Sequence, residues 1–268
     1  MQLRAARVSM ILATALGWAG SVPSGATRGG LLAPMPAVRA VQNPTSGLPT
    51  LEVGNGRDLL VLLHGYGSSP EEWLPFTSTI QLSGSRRFVF PQGPTRGGRA
   101  VGRAWWPLDL ASHRDSDGLP DLSRARPGGL APAAAVVRQL LVEAAGRIGS
   151  PRGHTMLGGF SQGGMLAAEV AFDSPQPLEA LILLSPTIVD EARWHQGLAR
   201  RRGLPVLIAH GRRDPVLSFR SSERLQRLLR DAGLRVLWLP FDGGHEIPSS
   251  VVIALTRFVH DPVAATAD

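Results

Sequence analysis

Leu157-Gly158-Gly159-Phe160-Ser161-Gln162-Gly163-Gly164-Met165 sets a serine inside Gly-x-Ser-x-Gly, with further glycine and apolar residues on both sides. A serine presented on a sharp turn between a strand and a helix takes strained backbone angles. The glycines on either side remove Cβ atoms that would otherwise collide. The flanks fit such a turn: Thr155-Met156-Leu157 reads as the end of a buried strand, and Gly163 to Phe172 as a helix packed against a sheet. The alternative is a glycine-rich turn with an incidental serine, and the rest of the chain must decide between the two.

Working outward, apolar stretches of strand length alternate with helical ones. Downstream lie Leu178 to Leu184, Pro205 to Ala209 and Arg235 to Leu239, with helices expected at Arg220 to Asp231 and Ile247 to Val259. Upstream, Leu59 to Leu63 is continuously apolar, as suits a strand covered on both faces. Thr50 to Val53 and Arg87 to Phe90 add strands, Glu71 to Leu82 is helical in part, and Ala131 to Ile148 is a helix. This alternation predicts an α/β class domain with a mostly parallel sheet of about seven strands and helices on both faces. Thr95 to Gly129 is the least regular stretch, and its adjacent Trp105 and Trp106 are candidates to line a substrate groove. Ordinary packing beneath the loop is the other reading of both tryptophans.

The 268 residues, 43% hydrophobic and 18% charged, suit one large domain. A net charge of +7 and a pI near 11.3 raise the possibility of nucleic-acid binding. Every basic side chain is arginine, however, and they are dispersed without aromatic interleaving, so nucleic acid is excluded as a partner. With no cysteine, disulfides and thiolate chemistry are ruled out. Met1 to Arg7 carries two arginines, Val8 to Ala19 is apolar, and Ser24-Gly25-Ala26 offers small residues for cleavage. The expectation is therefore an export signal at 1–26 and a periplasmic or secreted protein, with an uncleaved anchor or a start placed too far upstream as rivals. No later run reaches membrane-spanning length, so no stable span is expected. A Gly, Pro and Ala-rich linker is expected at 27–49, the catalytic domain at 50–262 and a tail at 263–268.

A serine hydroxyl needs a base, and the base needs an orienting acceptor. Asp214 lies in the loop after the 205–209 strand and His245 in the loop after the 235–239 strand. In an open α/β sheet the loops at the C-terminal strand ends converge on one crevice, so Ser161, Asp214 and His245 can meet there. Asp242 and Glu246 are alternative acids, but both lie in the loop of the base itself. For an oxyanion, the backbone N–H groups of Gln162 and of Tyr66, in the glycine-rich loop His64 to Pro70, are the proposed donors. The other histidines, at 64, 113, 154, 195, 210 and 260, show no metal-ligand spacing, so neither metal nor cofactor is expected.

With these residues in place the chain resembles the phospholipase/carboxylesterase family of α/β-hydrolases, which includes acyl-protein thioesterases and small bacterial carboxylesterases. The resemblance runs roughly from Leu59 to Phe258. It rests on Leu62-Leu63-His64-Gly65-Tyr66-Gly67, Pro91-Gln92-Gly93-Pro94, Gly102-Arg103-Ala104-Trp105-Trp106, Gly159-Phe160-Ser161-Gln162-Gly163-Gly164, His210-Gly211 with Asp214-Pro215-Val216, and Gly243-Gly244-His245-Glu246-Ile247. It implies a cofactor-free serine esterase with an α/β-hydrolase fold and a small-molecule ester substrate. The oxyanion loop departs from the acyl-protein thioesterases in lacking the aspartate common after its second glycine, having Ser68 instead. Lysophospholipase or acyl thioesterase activity is the alternative, and a hydrolase-like binding protein without turnover a further one.

Overall fold

The computed structural model describes residues 37–80, 86–97, 102–110 and 113–267, so the expected export signal at 1–26 lies outside the described residues. In chain order the elements begin with β1 (Val38–Gln42), β2 (Pro49–Val53) and β3 (Asp58–Leu63). A 3-10 turn (Pro70–Trp73) leads into α1 (Leu74–Thr79), followed by β4 (Arg86–Pro91), the short β5 (Thr95–Arg96) and β6 (Arg103–Ala104), and α2 (Leu130–Ile148). The second half comprises β7 (Thr155–Phe160), α3 (Gln162–Asp173), β8 (Ala180–Leu184), α4 (Glu191–Leu198), β9 (Pro205–Gly211), α5 (Phe219–Asp231), β10 (Arg235–Phe241) and α6 (Ser249–His260).

One eight-stranded sheet runs in the order β1-β2-β4-β3-β7-β8-β9-β10. From β4 to β10 all neighbours are parallel, while β2 is antiparallel to both β4 and β1. The chain leaves β3 toward β4 and later returns to its other side as β7. The loops after β3 and β7 therefore open at the point where strand order reverses, where α/β sheets form their crevices.

The parallel strands divide their side chains between two apolar layers with a period of two. Leu59, Val61 and Leu63 of β3 pack in one layer with α2, α3 and α5, whereas Leu60 and Leu62 face α1 and α6 with Trp73, Phe76 and Phe258. Helix α3 is buried along nearly its whole length, which its glycines and alanines permit. A Cβ on Gly163 would lie 2.7 Å from the His64 carbonyl oxygen, so only glycine lets this helix start against the end of β3.

One expectation needs correction. The linker at 27–49 is not structureless throughout: residues 38–42 form β1 and pair with β2 from Val38↔Val53 to Gln42↔Pro49. The connecting turn is tied down by Asn43 Nδ2 on the Leu48 carbonyl (2.8 Å) and by the Glu143 carboxylate accepting the Thr45 and Ser46 amides (3.1 and 3.0 Å). β1 is largely exposed and held by its backbone ladder, so it has no apolar alternation to announce it. Among the described residues the sheet therefore already includes Val38 to Gln42, ahead of Thr50. Within the described residues of 95–129, β5 pairs with β6 and Arg114 forms an isolated bridge with Pro120.

Candidate active site

Ser161 stands between β7 and α3 with φ 54° and ψ −119°, a left-handed geometry that a non-glycine residue holds only when its surroundings enforce it. They do so from both sides. The Ser161 amide donates to the Leu184 carbonyl at the end of β8 (2.8 Å), and its carbonyl accepts the Met165 amide (3.1 Å). The side chain is thus carried above the strand ends at the N-terminus of α3.

Asp214 and His245 come from the loops after β9 and β10. His245 Nδ1 lies 2.6 Å from Asp214 Oδ2, and the imidazole packs on the Phe160 ring at 4.7 Å between centroids. The other carboxylate oxygen, Oδ1, accepts the amides of Val216 (2.8 Å) and Leu217 (3.0 Å). Burial alone would raise the Asp214 carboxyl, but hydrogen bonds from His210 and His245 and their charge hold it well below the usual carboxylate range. It is therefore a carboxylate at neutral pH. Neither alternative acid takes this place: Asp242 pairs with Arg213 at the surface, and Glu246 Oε1 accepts the Gly244 amide (3.1 Å). His245 Nε2 is buried without a hydrogen-bond partner on the side away from Asp214.

The two proposed oxyanion donors lie on converging elements. The Gln162 amide is the first of α3, where the helix leaves N–H groups unpaired. Tyr66 is in the loop that follows β3, and that loop is laced to β6: Gly67 N–H donates to the Arg103 carbonyl and Arg103 N–H to the Ser68 carbonyl, both at 2.8 Å.

Trp105 and Trp106 are placed otherwise than as groove-lining residues. They are 2% and 1% exposed and belong to the core beneath the loop, with Leu122 and Leu130. Their backbones are nevertheless tied to the nucleophile turn: Gln162 Oε1 accepts the Trp105 amide (3.0 Å) and Gln162 Nε2 donates to the Trp106 carbonyl (2.8 Å). Trp105 Nε1 donates to the His64 carbonyl (2.9 Å). The pair therefore joins the Ser161–Gln162 turn to the loop that begins at His64.

Sequence reasoning passed over the role of His64. Its ring is fully buried, with Nδ1 against the Gly65 carbonyl (2.8 Å) and Nε2 accepting the Gly93 amide (2.9 Å). The adjoining Gly65 and the Gly93 turn were its only legible signals. Burial lowers its pKa from 6.5 to about 4, with the Gly65 bond partly opposing. Because the folded pKa lies below the unfolded one, the unfolded chain binds the extra proton between these values. Stability is therefore lost as pH falls from 6.5 toward 4, by about 3 kcal/mol from this group. Urea unfolding at both ends of that window should show the loss, and His64→Gln should remove most of the pH-dependent part. Equal slopes against pH in the two proteins would contradict it.

A buried Asp–His pair and a strained serine turn are parts that a serine hydrolase needs, and a family model described as Phospholipase/Carboxylesterase matches residues 53–261. The chain belongs to this family. As a phospholipase/carboxylesterase family protein it is a serine hydrolase of the esterase/thioesterase kind, and its fold is that of the α/β-hydrolases. It is 24% identical over 214 residues to acyl-protein thioesterase 1 of Schizosaccharomyces pombe, covering 77% of this chain and 91% of that protein. Among solved structures, esterase PE8 superposes with a TM-score of 0.67 at 29% identity over 84% of this chain and 97% of its own. A carboxylesterase from Mesorhizobium loti superposes with a TM-score of 0.65 at 20% identity over 84% and 99%, a likeness of fold.

Proposed function

We propose that the chain cleaves small carboxylic esters through an acyl-enzyme on Ser161. The observation that carries this reading is the 2.6 Å contact of His245 Nδ1 with a buried Asp214 carboxylate, the imidazole packing on Phe160, the residue that precedes the strained Ser161 turn. His245 takes the Ser161 hydroxyl proton through Nε2 as Oγ attacks the carbonyl carbon, and Asp214 keeps Nδ1 protonated and offsets the imidazolium charge. The Tyr66 and Gln162 amides receive the oxyanion, each worth about a hundredfold to a thousandfold in turnover. His245 then passes the proton to the leaving alcohol, and water hydrolyses the acyl-enzyme by the reverse sequence.

The resemblance to a thioesterase gives a second reading, hydrolysis of long acyl thioesters or lysophospholipids, which requires a long apolar groove. A series of p-nitrophenyl esters separates the two. The small-ester reading expects kcat/KM to peak at short acyl chains, and a peak at long chains would overturn it. Intact-mass detection of a fluorophosphonate adduct on Ser161 tests the nucleophile, and an unlabelled folded protein would favour a binding role. The arginine-flanked apolar run at Val8 to Ala19 supports export to the periplasm or medium, testable by fractionating cells that express the full chain.

A further inference from the structure

A second imidazole touches the catalytic carboxylate. His210, the penultimate residue of β9, is fully buried, and its Nε2 lies 3.1 Å from Asp214 Oδ2, the same oxygen that His245 Nδ1 contacts. Nε2 is also 3.2 Å from the Leu217 carbonyl. Both neighbours only accept hydrogen bonds, so Nε2 carries a hydrogen whichever way the rest of the ring is protonated. On the far side Nδ1 is 2.7 Å from Ser222 Oγ, itself 3.0 Å from the Pro186 carbonyl, so the ring is anchored at both nitrogens.

We propose that His210 is a positioning residue for ester hydrolysis, whose Nε2–H clamps Asp214 Oδ2 beside His245 and divides the carboxylate's charge between two imidazoles. The Val216 and Leu217 amides hold Oδ1 and His245 Nδ1 meets Oδ2, and the single His210 Nε2–H, shared with the Leu217 carbonyl, adds a fourth contact at Oδ2. Its plane can then turn little relative to His245. The cost of this order is that His245 receives less of the negative charge than it would from an unshared carboxylate. The proposal rests on the esterase reading of Ser161.

Other groups around the pair are neutral rings or charges occupied elsewhere. Phe160 packs on His245 and Phe219 meets the edge of His210. Arg212 lies over the Phe219 ring, Arg213 pairs with Asp242, and Glu246 accepts the Gly244 amide. All are left in place by the test.

His210→Phe removes the donor, and kcat should fall about tenfold to a hundredfold because the carboxylate is freed to turn. KM for a short activated ester should stay nearly unchanged, because the group lost orients the carboxylate rather than holding substrate. His210→Gln, whose amide reaches the Nε2 position, should restore kcat. A folded His210→Phe enzyme with unchanged kcat, or a His210→Gln enzyme no better than it, would overturn the proposal. Should His210→Phe not fold, nitrogen NMR of histidine-labelled wild-type protein decides. Nε2 of His210 should carry a hydrogen at neutral pH because both of its neighbours only accept, and an unprotonated Nε2 sinks the clamp. This readout needs no turnover, so failure of the esterase reading appears separately, as a wild-type Ser161 that takes no fluorophosphonate.

Discussion

Ser161→Ala is expected to lower kcat for an activated ester by about 10^5-fold to 10^6-fold, the loss seen when the nucleophile of a serine hydrolase is deleted. That corresponds to about 7 to 8 kcal/mol of transition-state stabilisation. His245→Ala should fall by a similar factor, and the double variant scarcely further, because base and nucleophile act as one unit. Thermal stability gives the complementary measurement. Ser161 is held at φ 54° and ψ −119°, where a Cβ is strained whether or not it carries a hydroxyl. Alanine should therefore leave Tm nearly unchanged, while Ser161→Gly should stabilise the fold by about 1 kcal/mol by removing the strained side chain. A Ser161→Ala protein with more than about a hundredth of wild-type turnover would show that another group attacks the ester.

Asp214→Asn is expected to cost about 10^4-fold in kcat without unfolding the protein, through the tautomer of the base. The Val216 and Leu217 amides are fixed donors to one side of residue 214, so the asparagine carbonyl must face them. Its NH2 group then faces His245 and His210 and requires an acceptor at His245 Nδ1. The hydrogen of His245 moves to Nε2, where it blocks uptake of the Ser161 proton. Asp242→Asn is the control: that carboxylate is exposed and paired with Arg213, so its loss should change turnover less than about twofold. If Asp214→Asn retained near-full activity while Asp242→Asn did not, the acid would be wrongly assigned.

Much of this site was legible in one dimension because its parts sit where an α/β sheet must place them. Strands of continuous apolar residues carry a clear pattern, and the residues after them are loops that share one edge. Serine, aspartate and histidine at the ends of β7, β9 and β10 could therefore be brought together by topology alone. The glycines around Ser161 were equally legible, since the helix starts too close to the end of β3 for a side chain at 163.

Contacts among side chains were not legible in this way. β1 carries little buried apolar surface, and a backbone ladder leaves no mark on residue type, so the eighth strand is visible only once β2 is in place. Trp105 and Trp106 read equally well as groove or core, and it was the packing of α2 and the side-chain reach of Gln162 that buried them. Three carboxylates lay within reach of His245 along the chain, and only the folded loops bring Asp214 to 2.6 Å while Arg213 and the Gly244 amide occupy the other two. Chain order and hydrophobic period set the architecture and the crevice. Which atoms share a hydrogen bond there depends on ångström-scale side-chain directions, and those directions are set by packing from elements distant in sequence.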